Sequence, residues 1–235
     1  KIKVFNRLKN FLNIWQLKHD KRVNEAFKTA KLLISSIPDS YRAIKRYKGL
    51  ESVIIPETGC FLSEDIPTER FEEEYLHVMW VGKFDFRKQL PLALWTIATV
   101  ANPHVILDVY GSGSDEQMHH AKYLASELGI EDMVVWHGNQ SNDVVLEAMR
   151  KSQLFIFTSV SEDTSTVVLE AISNRLPVVC FDACGMAAVI DNKVGRKISL
   201  SKPMQSVHDF AKVLKNLERN RDLLKQMSEN CRQRQ

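Results

Sequence analysis

A chain of 235 residues with 44% hydrophobic content is long enough for one sizeable core with extra elements, or for two small domains. Its net charge of +3 is mild and gives no argument for a nucleic-acid partner, and no apolar run is long enough to cross a membrane. The four cysteines lack the spacing of a disulfide framework or a zinc site, so we expect a soluble cytoplasmic enzyme without a metal site.

The first segment, residues 1–22, mixes basic side chains with apolar ones at helical spacing. A basic amphipathic helix fits the anionic inner face of a membrane, as a peripheral association, and it also fits a partner domain. We favour the partner domain. The chain begins at Lys1 without methionine and shows no secretory pattern, so we expect it to be a portion of a longer protein.

The next elements are predicted as a strand over 30–37, a helix over 38–47 that begins with Pro38, and a strand over 51–56. A linker pattern then leads into a longer region of regular elements. The predicted domain organisation is therefore a small unit over 1–56, a linker over 57–74 and a main domain over 75–235.

In the main domain, apolar runs rich in β-formers alternate with helical patterns. The predicted strands are 76–81, 104–110, 133–136, 154–157, 177–181 and 196–198, and the predicted helices are 90–100, 115–128, 143–150 and 165–174. This alternation predicts an α/β fold with a parallel, doubly wound, Rossmann-like sheet. Ligands of such sheets bind at the carboxyl ends of the strands, so the loops after the strands form the expected functional edge.

Three of these loops carry candidate ligand-binding residues. Lys83 and Lys88 flank the start of the first helix, where they could converge with helix-terminal amides on a diphosphate; solvated charges are the alternative. The stretch 111–114 has two glycines after a strand, but Glu116 replaces the third glycine of a dinucleotide fingerprint. His137 is predicted in the loop after the third strand, where a histidine without a ligand is a competing interpretation.

The most informative segment is 155–181, which predicts a buried strand, a polar turn, an apolar helix and a second buried strand. Glu162 in the turn and Glu170 in the helix are eight positions apart. A carboxylate on a helix that is apolar on nearly every side needs donors, so Glu170 suits a diol, and the free amides of the helix start suit a phosphate. The cap candidates are Asp163, Thr164, Ser165 and Thr166. A surface loop with a capped core helix is the alternative.

This order and spacing resemble the signature of the family 4 glycosyltransferases, retaining enzymes of GT-B architecture whose C-terminal domain binds a nucleotide sugar. The resemblance implies that Glu162 contacts the donor sugar, that Glu170 accepts hydrogen bonds from the ribose, and that the amides of 163–166 face the diphosphate. The residues it implies for catalysis are Glu162, Lys83 and Lys88. The residues it implies for donor binding are Gly82, Gly111, Ser112, His137, Asp163, Thr164, Ser165, Thr166 and Glu170.

Several positions depart from the pattern of the resembled family. Lys83 replaces an arginine and lacks its planar fork, and Arg175 replaces a glycine that commonly precedes the following strand. The turn 162–165 has hydroxyl side chains where glycines are frequent, and the loop 184–188 offers no third glutamate, so the resemblance implies no sugar contact there. The wording of 182–186 is similar to a subgroup associated with bacterial surface-polysaccharide assembly.

The sequence therefore predicts the donor-binding part of a retaining glycosyltransferase that takes a UDP-sugar or GDP-sugar, needs no further cofactor, and transfers to a glycan or lipid-linked acceptor. The unit 1–56 would be the end of an N-terminal acceptor domain, and this chain alone would be inactive. A noncatalytic sugar-nucleotide-binding or scaffold module remains an alternative, which Arg175 and Ala188 keep open. A sugar-nucleotide epimerase is the other, and the combination of two lysines with two glutamates argues against it.

Overall fold

The computed structural model describes residues 2–55, 66, 68–162 and 165–234, with side chains from residue 11 onward. Contacts within the chain divide it into two compact units, Lys1–Glu57 and Thr58–Gln235.

In the N-terminal unit, the described elements are α1 (Ile2–His19), α2 (Lys21–Thr29), β1 (Ile34–Ser35), α3 (Pro38–Lys48) and β2 (Val53–Ile54). The helix expected over 1–22 is interrupted at Asp20, whose carboxylate accepts a hydrogen bond from the backbone N of Arg22 at 2.8 Å and caps α2. The two strands pair in parallel but are shorter than predicted, because Ile34 and Val53 are exposed and no buried face extends the pairing.

The C-terminal unit contains a parallel sheet of six strands in the order β5-β4-β3-β6-β7-β8. The strands are β3 (Leu76–Val81), β4 (Val105–Tyr110), β5 (Val134–Gly138), β6 (Leu154–Phe157), β7 (Val178–Phe181) and β8 (Gly195–Ile198). Each strand matches a predicted one, with ends shifted by up to two residues. The predicted α/β class and the doubly wound, Rossmann-like sheet are confirmed.

Helices cover both faces of this sheet. They are α4 (Leu90–Val100), α5 (Asp115–Glu127), α6 (Asn142–Lys151), α7 (Thr166–Ser173), α8 (Met186–Val189), α9 (Pro203–Arg219) and α10 (Arg221–Arg234), with single 3₁₀ turns at Glu69–Glu72 and Glu131–Met133. Because side chains alternate along a strand, Trp80 of β3 belongs to a buried cluster with residues of α4, α5 and α9, whereas Met79 belongs to a second cluster with residues of α6 and α7. The core thus consists of two apolar layers, one on each face.

The strand order reverses between β3 and β6, which are neighbours in the sheet. In the sequence, 72 residues lie between Val81, which ends β3, and Leu154, which begins β6, and these residues include β4 and β5. Such a switch point opens a crevice at the carboxyl ends of the two strands. The loop after β3 and the loop after β6 therefore face each other.

Two buried arginines hold the segment before β3 against the rest of this unit. Arg70 donates to the carbonyl oxygen of Arg150, to that of Arg175 at 2.7 Å and to the hydroxyl of Ser228 at 3.3 Å. Arg175 in turn donates to the carbonyl oxygen of Ile66 at 3.3 Å. The backbone of Arg175 is left-handed, with φ 54°, which a glycine adopts without strain. The glycine that is common at this position in the resembled family therefore has a conformational reason.

We expect Arg70→Ala to lower the free energy of unfolding by about 3 kcal/mol, because it leaves buried acceptors without their charged donor. Burial lowers the pKa of Arg70 to about 10, so the guanidinium remains charged at neutral pH. Urea denaturation of the chain measures the change. Lys225→Ala is the matched control, because Lys225 contacts Glu72 at 3.4 Å on the surface and its loss should cost less than about 0.5 kcal/mol. Equal losses for the two variants would contradict a structural role for Arg70.

Candidate functional site

An ion pair lies at the switch point between β3 and β6. The Nζ of Lys88 is 2.7 Å from Oε1 of Glu162, and their side chains are only 15% and 11% exposed. The hydroxyl of Ser159 also donates to Oε1 of Glu162, at 3.2 Å, and the Lys88 ammonium lies 5.0 Å from the centre of the Phe157 ring. The structure thus brings together two of the three residues predicted for catalysis.

Local hydrogen bonds fix the two loops that carry this pair. Oδ1 of Asp85 accepts from the backbone N of Arg87 at 2.9 Å and from that of Lys88 at 3.0 Å, which closes the turn after β3. The hydroxyl of Thr158, at the end of β6, donates to the carbonyl oxygen of Lys88 at 2.7 Å and accepts from Nε1 of Trp80 at 3.0 Å. The side chain of Thr158 therefore joins the two loops, and these hydrogen bonds fix the positions of the residues that form the ion pair.

Lys83 does not join this pair. Its side chain is exposed and has no ion pair within the described part of the chain, so the predicted convergence of Lys83 with Lys88 on a diphosphate stays a prediction. Arg87 is also exposed and lies 3.4 Å from the carboxylate of Asp85. Lys88, which follows the turn at Asp85, is only 15% exposed, whereas Lys83, which precedes the turn, is exposed.

The glycines of this edge have a steric role. The backbone N of Gly82 donates to the carbonyl oxygen of Tyr110 at 3.0 Å, and that of Gly111 donates to the carbonyl oxygen of Gly138 at 2.7 Å. Both N–H groups are thus engaged within the edge, and Ser112 contributes its carbonyl oxygen to the N of Phe84 at 3.0 Å. A Cβ on Gly111 would collide with the carbonyl oxygen of Gly82, so this turn requires a glycine, and the donor-binding role of Gly111 stays a prediction.

Helix α7 begins at Thr166, one residue later than predicted. Ser165 occupies the cap position and is buried, but its side chain makes no capping hydrogen bond; instead its carbonyl oxygen accepts from the backbone N of Val168 at 3.1 Å. Of the four predicted cap candidates, Ser165 therefore occupies the N-cap position of α7 but does not cap the helix with its hydroxyl. Thr166 is exposed, and Asp163 and Thr164 lie outside the described residues.

Glu170 is half-buried on α7, among helix positions that are buried as predicted, such as Val168 and Ala171. Burial raises the pKa of this carboxyl group. In the described structure its carboxylate has neither a hydrogen bond nor an ion pair. A carboxylate that has lost part of its hydration and has no protein donor is suited to accept hydrogen bonds from a ligand.

His137 takes part in a polar cluster that the sequence did not predict. Its Nε2 is 2.7 Å from Oδ1 of Asp108, and Nδ1 of His77 is 2.7 Å from the other carboxylate oxygen. The His137 ring stacks on Tyr110 with centroids 4.1 Å apart and an interplanar angle of 3°. Its predicted loop position is wrong: a register shift after Val109 extends β5 to Gly138, so His137 lies within the strand.

A cavity of about 910 Å³ lies beside this cluster. Its lining includes His77, Asp108 and Tyr110 from the sheet and Asp143 and Glu147 from α6. Neither Lys88 nor Glu162 lines it, so the cavity and the ion pair are separate features of the same unit.

Within the described ranges, no group of three histidine, cysteine, aspartate or glutamate side chains could hold a metal ion. Among those same residues, no helix is long and apolar enough to cross a membrane. The described cysteines, Cys180, Cys184 and Cys231, are free thiols.

We expect Gly111→Ala to destabilise the chain by about 3 kcal/mol or more, because a Cβ there would lie 1.8 Å from the carbonyl oxygen of Gly82 and φ is 137°. Gly129→Ala is the matched control: φ is also positive, at 64°, but a Cβ would meet no atom within 4 Å. The control should cost only about 1 kcal/mol. Thermal and urea unfolding report both values, and similar costs would exclude the close approach of the two loops.

The hydrogen bond to Asp108 raises the pKa of His77 above its ordinary value of 6.5, and Glu73 adds to this effect. Protonation of His77 therefore favours the folded chain. The contribution is complete below pH 6.5 and is lost as the pH rises through the raised pKa. Since the side chain is 39% exposed, we expect at most about 1 kcal/mol.

Denaturant unfolding from pH 5 to pH 9 measures this dependence. His77→Gln should remove the decline in stability over the stated window, whereas His119→Gln, at an exposed position on α5, should leave it unchanged. An unaltered pH profile in His77→Gln would show that the His77–Asp108 contact does not form in solution.

The family model described as "Glycosyl transferases group 1" matches residues 63–234. An uncharacterized glycosyltransferase of Haemophilus influenzae is 25% identical over 209 residues, which are 88% of this chain and 51% of that protein. An uncharacterized glycosyltransferase of Methanocaldococcus jannaschii is 23% identical over 117 residues, which are 50% of this chain and 30% of that protein. The chain thus spans about half the length of the first relative.

Two solved structures illustrate the likeness in fold. WaaG, a glycosyltransferase involved in lipopolysaccharide biosynthesis, is 23% identical with a TM-score of 0.68, and the match covers 94% of this chain and 64% of WaaG. Anabaena HepE in complex with UDP and glucose is 17% identical with a TM-score of 0.71, and the match covers 90% of this chain and 60% of HepE. At these identities the likeness concerns the fold.

Proposed function

Since the chain belongs to the glycosyl transferases group 1 family of GT-B glycosyltransferases, we propose that it is the donor-binding part of a retaining, family 4-type hexosyltransferase. Its substrate is a UDP-sugar or GDP-sugar, and its acceptor is a glycan or a lipid-linked glycan. The observation that carries the proposal is the sequestered Lys88–Glu162 pair at the switch point, where a doubly wound sheet binds its ligand.

Lys88 is the cation for the leaving group. When the bond between sugar and diphosphate breaks, negative charge develops on the phosphate oxygens, and a cation already fixed beside them stabilises that charge without reorganisation. Lys88 is held by the turn at Asp85 and is mostly shielded from water, which strengthens its interaction with an anion. The start of α7 at Thr166 adds amide dipoles, and the exposed Lys83 can turn toward a bound diphosphate.

Glu162 is the sugar-facing carboxylate. It neutralises Lys88 and accepts a hydrogen bond from Ser159, and these two contacts fix its orientation. A diphosphate that takes over Lys88 leaves Glu162 to accept hydrogen bonds from the hydroxyls of the donor sugar. Glu162 thus first holds Lys88 in position and then binds the donor sugar.

Glu170 binds the ribose. The carboxylate is half-buried, its pKa is raised, and it finds no donor within the described protein. A vicinal diol supplies two O–H donors, which satisfy both oxygens at once. His137, at the end of β5, lies on the side of the base. The proposed donor is a nucleotide sugar alone, with no metal and no further cofactor.

The UDP-sugar is favoured by the solved complexes: HepE holds UDP and glucose, and the pneumococcal O-GlcNAc transferase GtfA holds UDP and GlcNAc. GtfA is 17% identical to this chain, with a TM-score of 0.70. WaaG, by its description, acts in lipopolysaccharide biosynthesis, which is the kind of bacterial surface glycan that we propose for the acceptor.

Under this proposal, the C-terminal unit alone does not form the acceptor site. We assign residues 1–56 to the end of an N-terminal acceptor domain and 57–74 to the linker. Exposed apolar side chains in the N-terminal unit, including Phe11, Trp15 and Ile34, support packing of this unit against a partner domain. Basic residues at the end of α1, Lys18 and His19, are compatible with a location at the cytoplasmic face of a membrane.

The proposal is tested by calorimetric titration of the chain with UDP and GDP. We expect weak binding of one nucleotide, and Lys88→Ala should lower its affinity about tenfold or more, because a shielded cation on a diphosphate contributes more than an ordinary hydrogen bond. Lys122→Ala, which removes an exposed lysine on α5, is the matched control and should leave the affinity unchanged. Glu170→Ala should also weaken binding, by about fivefold to tenfold.

Glu170→Ala has a second expected signature. Removing a half-buried carboxylate without a protein partner should leave the melting temperature equal or higher, so affinity and stability should separate. Loss of cooperative melting in this variant would instead make Glu170 a structural residue. Sugar transfer by the 235-residue chain alone would overturn its assignment as the donor half. Failure of the folded chain to bind either nucleotide would remove the support for a donor site in this unit.

A further inference from the structure

Helix α9 presents a row of basic side chains along one of its faces. The row consists of His208, Lys212, Lys215 and Arg219, whose spacing of four, three and four positions places them on the same side of an α-helix. Lys215 is partly exposed and the other three are exposed. The acidic residues of this helix, Asp209 and Glu218, lie about 90° away from the centre of the row, one on each side. The row itself therefore contains no negative charge.

The cations of this row have no acidic partners. Within the described parts of the chain, none of the four side chains forms a hydrogen bond or an ion pair. Asp209 instead accepts a hydrogen bond from Nε2 of Gln205 at 2.9 Å. By contrast, cations on α6 and α10 have carboxylates nearby: Arg150 and Lys225 lie 3.1 Å and 3.4 Å from glutamates. The row of α9 is thus a positive surface that the described protein does not neutralise.

Two grooves border the row, each of about 420 Å³. The groove between α9 and α4 is lined by all four basic side chains together with Thr99, Ala211 and Asn216, and no carboxylate lines it. The groove on the other side, next to β8, is lined by Lys212 together with Arg196 and Lys197, and also by Asp209. Lys212 belongs to both grooves. Anionic groups of small size, such as phosphates, fit such positions between cations.

The neighbouring helix α4 is uncharged. It packs along α9 and has no charged residue from Leu90 to Val100. Its exposed positions include Pro91 and Trp95, and Trp95 is 39% exposed. A helix at the surface of a domain in water normally directs charged and polar side chains outward, which α4 does not do. Met204, one turn before His208 on α9, is 49% exposed and adds a second large apolar side chain.

We propose that this α4–α9 surface, formed by Trp95, Met204, His208, Lys212, Lys215 and Arg219, docks on a bilayer of anionic phospholipids. Unpaired cations are attracted to the headgroup phosphates, and an exposed tryptophan beside them is stable at the boundary between headgroups and acyl chains. Single-stranded nucleic acid fits less well, because it is bound by several aromatic side chains in succession and this surface has one. The surface includes no residue of the proposed donor site and none of α1, so the inference goes beyond the proposed function.

The test is co-sedimentation of the chain with vesicles of phosphatidylglycerol and, separately, of phosphatidylcholine. We expect binding to phosphatidylglycerol alone, and we expect the double variant Lys212→Glu, Arg219→Glu to lower the partition coefficient about twentyfold or more. The reason is that each cation near an anionic surface contributes about fivefold. The matched control is Lys122→Glu, Lys193→Glu, which changes the net charge equally at exposed positions outside the surface and should retain most of the binding.

The tryptophans distinguish this surface from the N-terminal helix. Trp95→Ala should weaken vesicle binding about fivefold, whereas Trp15→Ala, at a 51% exposed position of α1, should leave it nearly unchanged. Brominated phosphatidylglycerol should quench the fluorescence of the chain, and Trp95→Phe should remove most of that quenching. Vesicle binding that depends on Trp15 and not on Trp95 would assign the membrane contact to α1 and overturn the inference.

Nucleotide titration separates the inference from the proposed donor site. Lys212→Glu, Arg219→Glu should leave the affinity for UDP or GDP unchanged, which also shows that the variant is folded, and Lys88→Ala should leave vesicle binding unchanged. Equal losses of vesicle binding in the two double variants would reduce the effect to net charge and overturn the inference. Binding of a single-stranded oligonucleotide as tight as that of phosphatidylglycerol vesicles would overturn it as well, and neither result would alter the proposed function.

Discussion

The whole edge depends on β3 and β6 being neighbours. Only that adjacency places Lys88, which follows β3, within 2.7 Å of Glu162, which follows β6. The pairing itself is short, with Val78 opposite Leu154 and Met79 opposite Phe155. Beyond the last paired residues, the hydroxyl of Thr158 connects the two loops by donating a hydrogen bond to the carbonyl oxygen of Lys88. The sheet topology thus positions Lys88 and Glu162 through the hydrogen bond of Thr158 and the tight turn at Asp85.

The fold was predictable because its strands are buried on both faces and therefore appear as continuous apolar runs in the sequence. The weakest predictions concern the N-terminal unit, where strands expected over 30–37 and 51–56 have only two paired residues each. The residues that give this unit its strand propensity, such as Ile34 and Val53, are exposed, and no layer of the described unit covers them. Propensity alone does not determine the length of a strand without a buried face.

The sequence predicts those parts of the candidate site that depend only on the order of strands, turns and helices along the chain. The spacing of Glu162 and Glu170 and the placement of Lys88 follow from strand, turn and helix in sequence. The Asp108 cluster was missed although a carboxylate inside the apolar run 105–110 is a signal that a partner must exist. Finding the partner needs the register, which sets Met79 opposite Asp108 and so brings His77 diagonally to it, and the shift after Val109 that places His137 within β5.

The charged groups of the edge are of two kinds. Lys88 and Glu162 neutralise each other, whereas Glu170 is partly desolvated without a donor. A neutral ligand could satisfy Glu170 but would gain nothing from the pair, and a simple anion could compete for Lys88 but would leave Glu170 unchanged. A ligand that carries both negative charge and a diol gains from both groups, and hydroxyls of a sugar compensate Glu162 for the loss of Lys88. Selectivity for a nucleotide sugar, under the proposed function, then follows from the sum of these exchanges and not from one strong contact.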